Sequence, residues 1–410
     1  MSTELTDEAV SLMANYEGGK KVYKIMLSAG EASGDLQGEQ IVKALAKLAP
    51  EAELFGLGGP KMQAAGMELV RDMRDYSVMG IWEVIKNLSS IFALLNDLTK
   101  TMEERRPDLL VIIDYPDFNW RLAKKARKLG IPVFSYIPPS AWAWRKGRAK
   151  SCSKLADELV ALFPFELPPY QKAGGNIHFE GNPLLEAVRP SLTKEEAAEY
   201  FHLAADERAI LLLPGSRVQE ITMLLPEMLK AAEKLQEKYP EMRFYLPVAS
   251  GIKQEMLEQY VQQSKVAVRY VHERTYDLMA LAEVAVATSG TVVLEAALLG
   301  LPCVILYKMS PLTYAVGKVM VHIDNFSLPN ILAGKRIQPE LLQDEVNTER
   351  IAAEVEKLYA DENCRQNTLR ELKEACAKLG EPGAAERIAA RMLKAAARGV
   401  RTGRKMGENN

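Results

Sequence analysis

The sequence predicts an α/β protein of two parallel-sheet domains, and three observations carry that prediction. Short apolar, β-branched runs alternate with helical patterns along the chain, as parallel sheets covered on both faces require. The alternation breaks once, at "FEGNPLLEAVRPSLTKEE", where Gly181, Asn182 and Pro183 punctuate it, and then restarts. The chain has 410 residues, more than one hydrophobic core ordinarily fills. The expectation is two Rossmann-like domains facing a cleft, with ligands beyond the carboxyl ends of the strands.

The elements follow in order. Strands are expected in the first half at "KIMLSA", "AELFGL", "LLVIID", "PVFSYI" and "ELVAL", with helical patterns between them. The second half repeats the scheme at "AILLLP", "RFYLPV", "VAVRYV", "VAVAT" and "PCVILY". A charged helical region from Glu349 closes the chain. We divide the sequence into an N-terminal extension over 1–23, a first domain over 24–185, a second over 186–365, and C-terminal helices with a polar tail over 366–410.

Composition narrows the function classes. The chain is 48% hydrophobic and 26% charged, which fits a folded, soluble protein. A net charge of -2 gives no global signal for polyanions, so nucleic acid is not an expected partner and any basic patch is local. Cys152, Cys303, Cys364 and Cys376 fit no zinc or CxxC spacing, and reduced thiols are expected. His178, His202, His272 and His322 do not pair at ligand spacing, so no metal site is expected. The N-terminus carries acidic residues and no apolar core of a signal peptide, and no run is long enough to span a bilayer. A cytoplasmic location is expected, compatible with lying against a membrane.

Two second-half turns suit anions. In "LLLPGSRVQEI" a strand ends at Pro214, Gly215 and Ser216, and a helix begins near Val218. Free backbone N–H groups there, with Arg217, suit a phosphate. An ordinary strand-to-helix turn with a surface arginine is the plainer alternative. In "VATSGTVVLEAALLGLPCVI", Ser289, Gly290 and Thr291 repeat the arrangement, and Glu295 lies one helical turn after Thr291. A carboxylate so placed accepts hydrogen bonds from a ribose diol. A solvated helix charge is the alternative, but the apolar flanks of Glu295 favour a partner. Neither turn is GxxxxGK[ST], so a nucleoside diphosphate sugar fits better than ATP hydrolysis.

The first half carries the acids. In "VIIDYPDFN", Asp114 ends a very apolar strand, where partial burial raises a carboxyl toward general-base range. Capping the next helix is the alternative role, for which Asp117 is better placed, with a helix start near Asn119. The loop "AGEASGDL" follows the first strand, where a phosphate cradle is usual, yet Glu31 and Asp35 would repel phosphate. We read it as a sugar-facing wall: Gly30 and Gly34 let the backbone approach, Glu31 and Ser33 make contacts, and Asp35 caps.

Two segments suit lipid. "PSAWAWRKGRAK" places Trp142 and Trp144 beside Arg145, which suits a headgroup zone or a phosphorylated lipid; a packed loop before a basic helix is the alternative. "MGIWEVIKNLSSIFALLNDLTK" carries Ile85, Leu88 and Phe92 at helical spacing, widened by Trp82. Such a stripe is normally core, and otherwise lines an acyl pocket or meets a bilayer.

Taken together, "AGEASGDL", "GLGGPKM", "MGIWEV", "IDYPDFN", "PSAWAWR", "FPFE", "LLPGSR", "SGTVVLEAAL" and "SLPNILAG" stand in the order and spacing of one family. Over residues 24–380 the chain resembles the lipid-A-disaccharide synthases. The resemblance implies a glycosyltransferase B fold with the C-terminal helix returning to the N-terminal domain. It implies transfer of 2,3-diacylglucosamine from its UDP carrier to 2,3-diacylglucosamine 1-phosphate, with no cofactor, by a protein peripheral on the inner face of the cytoplasmic membrane. It leaves a homodimer open. It assigns Asp114 as the base, Arg217, Ser289, Gly290, Thr291 and Glu295 to the UDP, and Asn330 and Gln343 near the donor. Many relatives have histidine where Gln37 stands. The alternatives are another UDP-sugar enzyme of this fold, such as a murein-precursor transferase or UDP-GlcNAc 2-epimerase, or a non-catalytic lipid- or nucleotide-binding protein.

Overall fold

The computed structural model describes residues 22–76, 88–143, 147–249, 251–310, 314 and 324–406. Trp82, Ile85, Trp144 and Arg145 and the extension over 1–21 lie outside the described residues, as do the side chains of Leu88 and of 399–406. The chain divides into two compact units, Met1–Pro183 with Gly380–Asn410, and Leu184–Leu379.

The first unit is built on a seven-stranded parallel sheet. Its strands are β1 (Lys24–Ala29), β2 (Glu53–Gly58), β3 (Glu68–Asp72), β4 (Leu109–Ile113), β5 (Val133–Tyr136), β6 (Glu158–Ala161) and β7 (Ile177–Phe179), in the order β3-β2-β1-β4-β5-β6-β7. The helices used below are α1 (Ala32–Leu48), α2 (Pro60–Ala64), α3 (Leu88–Arg105), α4 (Pro116–Lys128) and α5 (Gly147–Leu155). Successive residues of a strand point to opposite faces, and here both faces are covered. Leu109, Val111 and Ile113 join one core with Ile41 and Leu45 of α1. Leu110 and Ile112 join another with Leu94 and Leu98 of α3 and Leu122 of α4. That is why "LLVII" is unbroken by polar residues.

The second unit repeats the logic with six parallel strands: β8 (Arg208–Leu213), β9 (Met242–Pro247), β10 (Val268–Val271), β11 (Val284–Thr288), β12 (Cys303–Tyr307) and β13 (Glu340–Leu342), in the order β10-β9-β8-β11-β12-β13. Its helices α6 (Val218–Lys238), α7 (Thr275–Leu281) and α8 (Thr291–Leu298) carry the turns of interest. Ile210 and Leu212 face one core, Leu211 and Leu213 the other.

The C-terminal helix, α9 (Ala384–Met406), returns to the first unit as expected. It packs on α1 and β4 and buries Ile388, Ala389, Met392 and Ala396 completely. Arg391 fixes it further, donating to Glu158 at 2.8 Å and to Glu180. The boundaries differ from those drawn at 185 and 365. The helix Glu362–Ala377 stays with the second unit, because it packs on Leu328–Ala333, Thr348–Ala360 and α8. The chain crosses back only at Gly380, whose φ of 84° suits glycine.

Candidate active site

Asp114 follows β4 with a φ of 47°, and Tyr115 follows with 49°. Two successive left-handed non-glycine residues cost roughly 1–3 kcal/mol each and persist only where neighbours over-determine them. Asn119, completely buried, does this. Its amide donates to the carbonyls of Asp114 at 2.8 Å, Ser28 at 3.0 Å and Ile113 at 3.2 Å, and its oxygen accepts the Ser28 hydroxyl at 2.6 Å. Gly30 leaves room for Tyr115: a Cβ there would lie 2.1 Å from the ring.

Asp114 is half-buried, and burial pushes its carboxyl up, against a smaller pull from the Tyr115 backbone. This is the direction expected for a base. Glu166, in "FPFE", accepts the N–H groups of Leu162 and Phe163 at 3.0 and 3.1 Å. Burial, with a contribution from the Asp114 charge, pushes Glu166 up to about 7.

The acidic first loop resolves into separate roles. Asp35 is buried and accepts the N–H groups of Gly59 at 2.8 Å and of Lys61 and Met62 at 3.1 Å. It caps α2, a helix 24 residues on, and not its own helix. Glu31 and Ser33 are exposed at the start of α1, and the Glu31 charge adds to burial in raising the Tyr115 hydroxyl. Gln37 accepts the Tyr136 hydroxyl at 3.1 Å. Asp117 does not cap: α4 begins at Pro116, with Tyr115 at the cap position, and Asp117 pairs with Arg148 at 3.0 Å.

Of the lipid candidates, Trp142 is half-buried, edge-on to Phe165 at 4.9 Å, which stacks on Phe163. Phe92 is 50% exposed, with the Arg121 guanidinium 5.9 Å from its ring centroid. Its helix neighbours Leu94, Leu95 and Leu98 are buried core.

In the second unit α6 begins at Val218, as the spacing predicts, and Gly215 has a φ of 113°. The N–H groups expected to be free are not. Those of Ser216 and Arg217 lie 3.2 Å from Glu220, and the Arg217 guanidinium donates to the same carboxylate at 2.9 Å. Glu220 occupies the cradle; the signal was the glutamate three residues past the cap position, whose carboxylate reaches back to the cap N–H. The Arg217 side chain is 81% exposed.

The second turn is open. Gly290 precedes α8 in extended backbone, no side chain caps the helix, and nothing lies within 4 Å of a Cβ added there. Thr291 is exposed, and the Ser289 hydroxyl donates to the Phe326 carbonyl at 3.2 Å. Glu295 is half-buried; burial pushes it up, opposed by a hydrogen bond from the Tyr276 hydroxyl. Both line a cavity of about 740 Å³ with Arg189, Ser191 and Arg274. Arg274, with a φ of 59°, heads α7 and donates to Ser191 at 2.9 Å. Sequence reasoning missed Tyr276 and Arg274 because their partners lie many residues away.

Two expected donor residues serve the interior. Asn330 is completely buried, donating to the Gln338 carbonyl and Glu340 and accepting the N–H groups of Ile337 and Gln338. Gln343, with a φ of 54°, grips both backbone groups of Met309, at 2.8 and 3.0 Å.

The first unit thus carries a raised carboxyl at a strand end, and the second an uncapped helix start with a half-buried acid hydrogen-bonded by Tyr276. The chain is similar to the UDP-GlcNAc 2-epimerase of Neisseria meningitidis bound to UDP-GlcNAc, with a TM-score of 0.59 and 15% identity over 90% of this chain and all of that one. It is similar also to MurG of Acinetobacter baumannii, at 0.58 and 15% over 91% of this chain and all of that one. The architecture is that of the B-type glycosyltransferases. The family model described as Lipid-A-disaccharide synthetase matches residues 25–392. Lipid-A-disaccharide synthase of Geobacter sulfurreducens is 42% identical over 372 residues, covering 91% of this chain and 97% of the relative. That of Syntrophus aciditrophicus is 43% identical over 370 residues, covering 90% and 97%. The chain belongs to the lipid-A-disaccharide synthase family and is a glycosyltransferase.

Proposed function

We propose that the chain condenses UDP-2,3-diacylglucosamine with 2,3-diacylglucosamine 1-phosphate, giving the β-1',6-linked disaccharide 1-phosphate and UDP. The half-buried Asp114, held in a strained turn by Asn119, is the observation that carries this reading. Asp114 takes the proton from the acceptor 6-hydroxyl. That oxygen bonds to C1 of the donor sugar as the bond from C1 to the phosphate oxygen breaks, and the electron pair leaves with UDP. One displacement inverts the anomeric centre.

The second unit holds the nucleotide. Ser289, Gly290 and Thr291, at the uncapped start of α8, take the phosphates, with Ser216 and Arg217 joining once Glu220 yields. Glu295 accepts the ribose hydroxyls. Asn330 and Gln343 act through the backbone they hold. Glu31 and Ser33 meet the sugar. Arg217 and the helix start stabilise charge on departing UDP, so the proposed step needs no metal.

Among the described residues no helix is long and apolar enough to cross a membrane. We propose a peripheral protein on the inner face of the cytoplasmic membrane, with Phe92 among the residues that meet lipid, and a homodimer as the assembly that light scattering checks. A murein-precursor transferase or UDP-GlcNAc 2-epimerase would share the phosphate turns, and a lipid- or nucleotide-binding protein would not need Asp114. Incubation with both lipid substrates, following UDP and disaccharide, tests the proposal. Stoichiometric formation of both supports it; no disaccharide, with UDP-GlcNAc turned over instead, overturns it.

A further inference from the structure

We propose that a cavity between α4 and α5 in the first unit is a phosphomonoester site that holds the 1-phosphate of the acceptor. The cavity measures about 240 Å³ and is lined by Pro116, Arg121 and Lys124 of α4, Pro139 after β5, and Arg148 and Leu155 of α5. It is small beside the roughly 300–1,000 Å³ that suits a drug-sized ligand. Its wall carries three cations and one carboxylate, Asp117, which pairs with Arg148 and is 88% exposed.

Arg121 and Lys124 stand three residues apart on one helical face, and neither pairs with an acid among the described residues. Adjacent like charges repel, and α4 continues with Lys125, Arg127 and Lys128. A phosphate dianion relieves that repulsion and accepts charge-assisted hydrogen bonds from a guanidinium and an ammonium together. Asp117 opposes the anion, so Arg121 and Lys124 are the residues that bind it.

Position supplies the second argument. Pro116 lies two residues beyond Asp114, and Pro139 lies just past β5, so one end of the cavity lies near the carboxyl ends of β4 and β5. The 6-hydroxyl and the anomeric phosphate of the acceptor flank the same ring oxygen. Their sites must therefore lie within one sugar of each other. This inference rests on the proposed acceptor chemistry.

The test compares the Arg121→Ala/Lys124→Ala double variant with the unchanged chain on 2,3-diacylglucosamine 1-phosphate and on 2,3-diacylglucosamine lacking the phosphate. Both side chains are exposed, so folding is expected to persist, and circular dichroism checks it. We expect KM for the phosphorylated acceptor to rise tenfold or more, KM for the donor to stay, and kcat/KM with the unphosphorylated acceptor to match the unchanged chain. An equal loss with both acceptors, or none, overturns the site. Vesicles with and without phosphatidylglycerol separate the other source of phosphate: lost binding to the anionic vesicles with an unchanged acceptor KM would make the cavity a lipid-headgroup site and overturn the acceptor assignment. If the unchanged chain makes disaccharide from neither acceptor, the underlying reading fails and the assignment with it.

Discussion

At the residue scale, the proposed base Asp114 can act only when ionised, and burial raises its carboxyl above the ordinary value of 3.8. The acid form then persists to higher pH, so kcat/KM falls as pH drops through the raised value. We predict that the acid limb of the pH profile lies above the ordinary carboxylate position; a limb at or below it would contradict the assignment. Asn119 holds the turn. Asn119→Ala orphans the Ser28 hydroxyl and several carbonyls, which costs on the order of 1–3 kcal/mol of stability. It should lower kcat while leaving the donor KM unchanged, and steady-state kinetics beside thermal unfolding separates the two effects. The half-buried position of Asp114 was legible in the sequence because a carboxylate closing a very apolar strand is drawn partly out of water. Asn119 was not, since Ser28 lies 91 residues away and nothing local marks the pair. The hydrogen bonds of Asn330 were not legible for the same reason: a polar residue in a recognisable motif gives no sign of which backbone groups it holds inside the fold.

At the element scale, the two turns proposed for the nucleotide look alike in sequence and differ in structure. Glu220 fills the first, and the second is open. Glu220→Gln keeps an oxygen to accept the two backbone N–H groups and removes the charge that repels a phosphate. We predict tighter UDP binding by isothermal titration; equal or weaker binding would show that the carboxylate does not compete. Gly215→Ala should destabilise the second unit by roughly 1–3 kcal/mol, because a left-handed φ is strained for alanine and the Cβ would meet Glu220 at 2.3 Å. Denaturant unfolding measures this. The ten strands read from sequence all formed. The three that were missed, β3, β7 and β13, are each at a sheet edge and only three to five residues long. Strands so short offer too few residues to show an apolar alternation, even where, as in β13, two of the three are buried.

At the scale of the whole molecule, the two-unit α/β plan was legible because each sheet is apolar on both faces, but the last boundary was not. The helix Glu362–Ala377 and α9 are both amphipathic and charged, and sequence alone does not say which sheet each covers. The structure gives the first to the second unit and α9 to the first. Ending the chain at Leu379 would strip Ile388, Met392 and Leu393 from the first core and leave Glu158 and Glu180 without Arg391. We predict loss of the cooperative unfolding transition of that unit by calorimetry. A transition at unchanged temperature would mean that α9 is only an appendage.

The central claim is that Asp114 performs the chemistry while separate groups bind the nucleotide. One measurement tests it most directly: turnover of both lipid substrates by Asp114→Asn, with UDP affinity measured on the same preparation. We predict that turnover falls by about 10²–10⁴, as expected for a lost general base, with UDP affinity unchanged. Turnover equal to that of the unchanged chain would contradict the account.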